Sequence, residues 1–372
     1  MKFKVNRKEI YQAIQNIIGV VPVKTTIPIL GNILFDLDGN KLSLTGTDLE
    51  VSISTTIEVQ GERDGAVAIP AKIFFEIVRE LPDIPMDLDC DEDFKIALKT
   101  DQGFYRLSGE AQDEFPKISV QESIGSFLIE STRFNNMIQR TLFAVSSDEL
   151  RTTLMGVFMK VMENELRMVA TDGHRLVRIS DTDFVSPDVQ KESIIPTKAL
   201  NLVSKNLQGI DQIKISLSDD HVVFGLSNTT IFSKGIEGQF PNYERVIPVD
   251  NDKSVIANRD LLSASVRRVS IFSNTITHQI RLSLSESQLN IQSEDIEFGG
   301  EAKEKMEVEY AGESMDIGYN ANYLLDILRH LDSEVVELRF KDSTSAGIIY
   351  PQTRAEGEDI LMLLMPIRLN DD

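Results

Sequence analysis

The stretch Asn32-Ile33-Leu34-Phe35-Asp36-Leu37-Asp38-Gly39-Asn40-Lys41-Leu42-Ser43-Leu44 reads as two short strands around a tight turn, with Asp38-Gly39 as the hairpin signal. The pattern returns as Gly156-Val157-Phe158-Met159-Lys160-Val161-Met162-Glu163-Asn164-Glu165-Leu166-Arg167-Met168 and again as Ile280-Arg281-Leu282-Ser283-Leu284-Ser285-Glu286-Ser287-Gln288-Leu289-Asn290-Ile291. Leu42, Leu166 and Leu289 open the second strand of each copy, 166 − 42 = 124 and 289 − 166 = 123 residues apart. Two further anchors keep the same order and period. Ile69-Pro70-Ala71-Lys72 matches Ile195-Pro196-Thr197-Lys198 and, with a slip of two residues, Ile317-Gly318-Tyr319-Asn320; Glu114-Phe115-Pro116 matches Gln239-Phe240-Pro241. A repeat this long is a whole domain, far above the roughly 20–50 residues of a solenoid unit. The chain therefore reads as three copies of one domain, 1–124, 125–249 and 250–372, with Pro248–Lys253 as the second linker.

Each copy reads as α+β with strands dominant. Ile10, Ile14, Ile17 and Ile18 fall on one helical face, as do Leu324, Ile327, Leu328 and Leu331. Pro70 marks a helix start. Short alternating runs such as Glu50–Ser54 and Gln212–Leu217 read as strands. The spacing predicts helices over 7–19, 71–81, 132–144, 197–208, 259–271 and 320–331, two per copy on one face of an antiparallel sheet. The apolar run Ile360–Met365 reads as a buried strand.

Composition narrows the class. The 372 residues are 41% hydrophobic and 26% charged, ordinary for a globular protein, so disordered and collagen-like classes are excluded. No run approaches the roughly 20 apolar residues of a membrane-spanning helix. The first residues show no apolar signal segment. The single cysteine, Cys90, excludes an internal disulfide framework and any zinc site built on several cysteines. These features point to a cytoplasmic protein without a membrane partner.

The net charge is −21, which argues against tight binding to a polyanion. Its distribution says more. The six predicted helices hold twelve basic residues (Arg7, Lys8, Lys72, Arg79, Arg133, Arg140, Lys198, Lys205, Arg259, Arg267, Arg268, Arg329) against five acidic ones, a net of +7, which leaves −28 elsewhere. Helices that share one side of a sheet would make that side positive, which suits loose contact with a polyanion. Solvated helix faces are the plainer reading of the same count.

Four stretches taken in order are specific: Ile27-Pro28-Ile29-Leu30-Gly31-Asn32, Thr171-Asp172-Gly173-His174-Arg175-Leu176, Phe240-Pro241-Asn242-Tyr243-Glu244-Arg245-Val246-Ile247-Pro248 and Met365-Pro366-Ile367-Arg368-Leu369. On them, and over its whole length, the sequence resembles the bacterial sliding clamps, the beta subunit of DNA polymerase III. The resemblance implies three domains of the DNA-clamp fold and two chains joined head-to-tail into a homodimeric ring around duplex DNA. Twelve helices spaced ~8–10 Å apart form a circle of roughly 110 Å and would enclose a hole of roughly 24 Å, enough for a duplex.

The resemblance further implies an apolar pocket for short peptides from the polymerase III catalytic subunit, the clamp loader, other polymerases and repair proteins. Residues matching that pocket are Leu154, Thr171, Gly173, His174, Arg175, Leu176, Pro241, Arg245, Val246, Tyr323, Leu363, Leu364, Met365, Pro366, Ile367 and Arg368. Lys24, Lys72 and Arg151 match DNA-contacting positions, and the helix charge adds Arg140, Lys198 and Arg267. Thr152-Thr153 stand where a family member carries two aromatics, so base stacking does not carry over there. Tyr105 and Leu107 in the first copy, with Ile271 and Phe272 in the third, are the expected apolar contacts at the ring seam. No cofactor or metal is implied.

Two other classes compete. Asp172 and His174 sit two apart, but there is no G-x-S-x-G elbow, P-loop, H-E-x-x-H or Rossmann glycine pattern to support an enzyme. A β-rich adaptor that never touches DNA would share the pocket and have no use for positive helices.

Overall fold

The computed structural model describes residues 1–117, 123–186, 189–295 and 299–369. Among them are six α-helices: α1 (Arg7–Ile17), α2 (Ala71–Glu80), α3 (Ser131–Leu142), α4 (Thr197–Asn206), α5 (Arg259–Val269) and α6 (Ala321–Arg329). All six lie where the sequence predicted helices and stop one to two residues short at the C-terminal end. Local chemistry fixes their starts. The Asn6, Asn258 and Asn320 side chains accept from backbone N–H groups of the first turns of α1, α5 and α6. Pro70 and Pro196 precede α2 and α4. The two-residue slip in the third copy disappears: the strand Met315–Asn320 runs straight into α6, so Tyr319, not Ile317, is the counterpart of Ile69 and Ile195.

The chain forms two compact units, one of Met1–Asn135 with Ile195–Gly235 and one of Asn136–Ile194 with Ile236–Asp372. The first unit contains an eight-stranded sheet in the order Gly125–Glu130, Gln212–Leu217, His221–Leu226, Thr229–Lys234, Val51–Glu58, Lys41–Thr47, Asn32–Asp38, Gly65–Pro70. Beside it a five-stranded sheet runs Gln60–Arg63, Lys2–Asn6, Pro85–Cys90, Lys95–Lys99, Phe104–Ser108. Helix α1 buries Ile10, Ala13, Ile14 and Ile17 completely or nearly so. At 0.8 kcal/mol or so per buried CH₂, that apolar face is the main reason the helix is stable.

The second unit repeats the plan. Its eight-stranded sheet is ordered Lys191–Pro196, Gly156–Met162, Glu165–Thr171, Arg175–Asp181, Glu358–Leu364, Gly347–Pro351, Val335–Phe340, Lys253–Asn258. Its four-stranded sheet is ordered Gly300–Glu307, Gln288–Asp295, Gln279–Ser285, Met315–Asn320.

The strands of each repeat are thus divided between two sheets, a finer arrangement than the single sheet face per copy read from the sequence. Each large sheet joins two repeats by one antiparallel pair. Val51–Glu58 of the first copy meets Thr229–Lys234 of the second, with Ile53 opposite Ile231. Arg175–Asp181 of the second meets Glu358–Leu364 of the third, with Val177 opposite Met362. Phe104–Ser108 and Gly300–Glu307 end their sheets with no such partner among the described residues.

Candidate functional site

The second unit carries a cleft of about 580 Å³. Its floor comes from strand ends. Leu176 follows the turn Thr171–Arg175, and Leu363 stands directly opposite it on the neighbouring strand. Both are at most 2% exposed. Leu154 closes the floor, Pro241, Tyr243, Arg245 and Val246 form one wall, and Met365 continues the strand outward. Behind them lies an apolar cluster that includes Phe158, Val169, Ile194, Phe240, Ile348 and Leu361. Phe158 stacks on Phe240 with ring centroids 4.9 Å apart. The loop Lys341–Ala346 supplies a polar rim with Asp250.

The turn Thr171–Arg175 is held by its own side chains. Thr171 Oγ1 donates to the Arg175 carbonyl at 2.7 Å and accepts from Gly173 N–H at 3.0 Å. Asp172 Oδ1 accepts from the His174 and Arg175 N–H groups at 2.9 and 3.0 Å. Gly173 has φ +89, a left-handed conformation that glycine adopts without strain. A Cβ there would also meet Arg151 Nη1 at 2.9 Å.

Arg175 is nearly buried. It donates to Asp172 Oδ2, Asp326 Oδ2 and the Phe143 carbonyl at 3.1, 2.7 and 2.8 Å, and lies over the Tyr323 and Phe143 rings. A buried guanidinium needs such full satisfaction. The His174 ring stacks on Tyr323, centroids 5.8 Å apart, and its carbonyl accepts from Met365 N–H at 2.8 Å. Asp172 is spent on backbone N–H groups and Arg175.

Across the rim, Lys341 donates to Asp250 Oδ2 at 2.6 Å. Asp342 accepts from the N–H and hydroxyl of both Thr344 and Ser345 at 2.8–2.9 Å. Those bonds, the Thr344 N–H first, hold its carboxyl well below the usual carboxylate range. Among the described residues no cluster of His, Cys, Asp or Glu is arranged to hold a metal ion.

Eleven of the sixteen residues expected at the pocket line the cleft: Leu154, Thr171, Gly173, His174, Arg175, Leu176, Pro241, Arg245, Val246, Leu363 and Met365. Tyr323 backs it through His174 and Arg175. Leu364 points to the other face of its strand. Pro366, Ile367 and Arg368 run on past it, Ile367 bridging to Gly318. The structure adds Asn242, Tyr243, Pro248, Asp250, Lys341, Thr344, Ser345 and Ala346. Asn242, Tyr243 and Pro248 lay inside a stretch already singled out. The loop 341–346 gave no signal beyond turn-forming residues.

The expected DNA residues separate. Lys24, Lys72 and Arg267 are exposed, with no side-chain bond among the described residues. Arg151 is exposed but donates to Asp148 and to the Asp172 carbonyl at 2.9 and 3.0 Å. Arg140 and Lys198 are held in ion pairs of the chain itself. Arg140 is nearly buried and paired with Glu358 and Asp332. Lys198 is paired with Asp48 and donates to the Val20 carbonyl at 2.9 Å. Of the twelve helix cations, only Lys8, Lys72 and Arg267 have side chains without a bond among the described residues.

Of the expected seam residues, Tyr105 and Leu107 are half-buried on the edge strand Phe104–Ser108. Ile271 is 76% and Phe272 43% exposed. Phe272 lies 3.2 Å from where a Cβ on Gly300 would stand, at the start of the other edge strand.

The cleft has the chemistry of a recognition site, an apolar floor with a polar rim, set in a triplicated α+β chain. Comparison with known proteins gives the family. Descriptions of the N-terminal, central and C-terminal domains of the DNA polymerase III beta subunit match residues 1–119, 128–242 and 244–368. The chain is 34% identical over 374 residues to the beta sliding clamp of Pseudomonas putida, covering 99% of this chain and all of the relative. It is 31% identical over 372 residues to that of Chlamydia muridarum, each covered in full. A crystal structure of the Pseudomonas aeruginosa sliding clamp with ligand has a TM-score of 0.94 at 33% identity over 99% of this chain and all of that one. The Bartonella birtlesii clamp bound to griselimycin has a TM-score of 0.94 at 31% identity, with the same coverage. The chain belongs to the DNA polymerase III beta subunit family, the bacterial sliding clamps.

Proposed function

We propose that two copies of this chain close head-to-tail into a ring around duplex DNA, and that the cleft tethers partners to it by short peptides. The partners are the polymerase III catalytic subunit, the clamp loader, and other polymerases and repair proteins. The chain itself is non-catalytic and acts in the cytoplasm, on the nucleoid during replication. Its repeats correspond to domains 1–124, 125–249 and 250–372. Topology removes the need for strong DNA affinity, which suits a net charge of −21. Tethering acts by raising the effective concentration of the polymerase at the primer end. Lys24, Lys72, Arg151 and Arg267 are the proposed DNA-facing cations.

The pair of unpartnered edge strands carries this reading. Leu42, Leu166 and Leu289 face Ile57, Asp181 and Met306, so Ala302 is the third member of the Ile53 and Val177 series. Leu98, Phe224 and Ile349 face Tyr105, Ile231 and Met362, so Tyr105 is the third member of the other series. The two junctions inside the chain pair these series residue for residue. The same register between two chains sets Tyr105 opposite Ala302, Arg106 opposite Glu301 and Leu107 opposite Gly300, with Ile271 and Phe272 beside the seam. A head-to-tail contact of this kind closes and leaves no open edge.

The test joins seam and ring. With Tyr105→Cys and Ala302→Cys in one chain, oxidation should give a doubly cross-linked dimer, while a Leu107→Cys, Ala302→Cys control should cross-link poorly. A clamp loader should place the wild-type protein on nicked circular DNA, where it resists high salt and leaves when the DNA is cut. Loss in salt from the intact circle, with a working loader control, overturns the ring and favours the adaptor.

A further inference from the structure

We propose that Arg167 is a positioning residue for the cleft: it clamps the short helical turn Tyr243–Val246, so that this wall stands in place before a peptide arrives. The inference rests on the peptide-site reading of the cleft.

Arg167 lies in the strand Glu165–Thr171 and does not line the cleft. Its guanidinium grips Glu165 with two bonds of 2.7 and 3.1 Å. The nitrogen Nη1 then reaches out of that pair, donating to Tyr243 Oη and Glu244 Oε1, each at 3.0 Å. The Arg167 side chain is 17% exposed. Charge-assisted bonds in such a partly dry setting are the strong ones. Burial works against its charge, yet the bonds to Glu165 and Tyr243 outweigh it and hold the proton more firmly than usual.

The turn it grips has no cap of its own. Tyr243–Val246 is a single 3-10 turn, and Asn242 gives it no side-chain cap. The hydrogen-bond geometry of such turns is poorer than that of an α-helix, so tertiary contacts matter more for holding them. The Tyr243 ring packs on Phe158 and Phe240 from the inside. On the outside, Val246 is 53% exposed. The polar clamp from Arg167 is the second point of attachment, and two points fix an orientation that one does not. A wall that is in place only part of the time lowers apparent affinity by that fraction.

The experiment uses the full chain with griselimycin as probe, the ligand of the Bartonella birtlesii relative. Arg167→Met should weaken griselimycin binding about tenfold, and Arg167→Lys and Tyr243→Phe about threefold each, because each leaves part of the clamp. In a Val246→Ala background, where the wall contributes less, Arg167→Met should cost less than about threefold. Melting temperature, followed in parallel, separates a displaced wall from a damaged fold. Wild-type affinity in both Arg167→Met and Tyr243→Phe overturns the inference. So does an Arg167→Met effect undiminished beside Val246→Ala, since the loss would then not pass through the wall. Failure of the site reading looks different: the wild type binds no griselimycin, or Leu363→Asp binds it as well as the wild type does.

Discussion

In the turn Thr47–Val51, the Thr47 hydroxyl donates to the Val51 carbonyl at 3.2 Å and accepts from Leu49 N–H at 3.0 Å. Asp48 Oδ1 accepts from Glu50 and Val51 N–H at 3.0 and 2.7 Å, and the Glu50 carbonyl accepts from Lys234 N–H at 2.8 Å. The turn Thr171–Arg175 repeats every one of these bonds, with Met365 in place of Lys234. Even the left-handed residue is shared, although it is Leu49 at φ 79 in one and Gly173 at φ 89 in the other. One turn stands over the candidate peptide cleft. The other does not.

The difference lies in the strands beside the turns. Where the second unit has Val169, Leu176, Leu361 and Leu363, the first has Thr45, Ser52, Thr230 and Phe232. The Thr45 hydroxyl donates to Ser54 at 3.0 Å, and Thr47 shares a 2.7 Å bond with Ser52. The apolar cluster shrinks accordingly to Ile29, Leu30, Ala68 and Phe115 with Leu34. Hydroxyls that pair with each other tile a sheet face but give an incoming apolar side chain nothing to bury against. Duplicated backbone supplied two equal frames, and side chains made one of them a site.

Transplanting residues between the frames breaks the comparison in steps. The largest effect is expected from Leu176→Ser, which installs the residue of position 52. It should weaken griselimycin binding by about a hundredfold and destabilise the chain by roughly 3 kcal/mol, read by calorimetric titration and denaturant unfolding. Gly173→Leu copies Leu49 and pushes Arg151 away. Its left-handed backbone should cost about 1 kcal/mol, with a matching fall in melting temperature and several-fold weaker griselimycin binding.

Asp342→Asn loosens the rim loop, whose counterpart in the first unit is the three-residue turn Ser218–Asp220, and about threefold weaker binding is expected. The folded-state pKa of Asp342 is depressed, so its contribution is complete above the unfolded value near 3.9 and fades as pH falls through the folded one. Through this group, then, binding should be flat from pH 8 to about 5. The smallest effect belongs to Leu49→Gly, which relieves a left-handed leucine. It should raise stability by less than about 1 kcal/mol and leave griselimycin binding unchanged.

Much of the fold is legible in the sequence. The three hairpins, the six helices, the helix start at Pro70 and the final buried strand all follow from short-range signals. Turn residues, caps and apolar periodicity act over a few residues and leave their mark in the sequence. The cleft was half legible, because the Thr171–Leu176 and Phe240–Pro248 stretches are contiguous.

Sequence alone therefore determined the triplication, the six helices and the repeated hairpins. Tertiary structure decided the rest: the division of each repeat between two sheets, the arrival of the loop 341–346 at the rim, and the fate of Arg140 and Lys198. Those outcomes depend on strand register and on ion pairs between residues as far apart as Arg140 and Glu358. A helix pattern shows that a side chain leaves the apolar face. Whether water, a carboxylate or a ligand meets it there is settled only when the distant strands have paired.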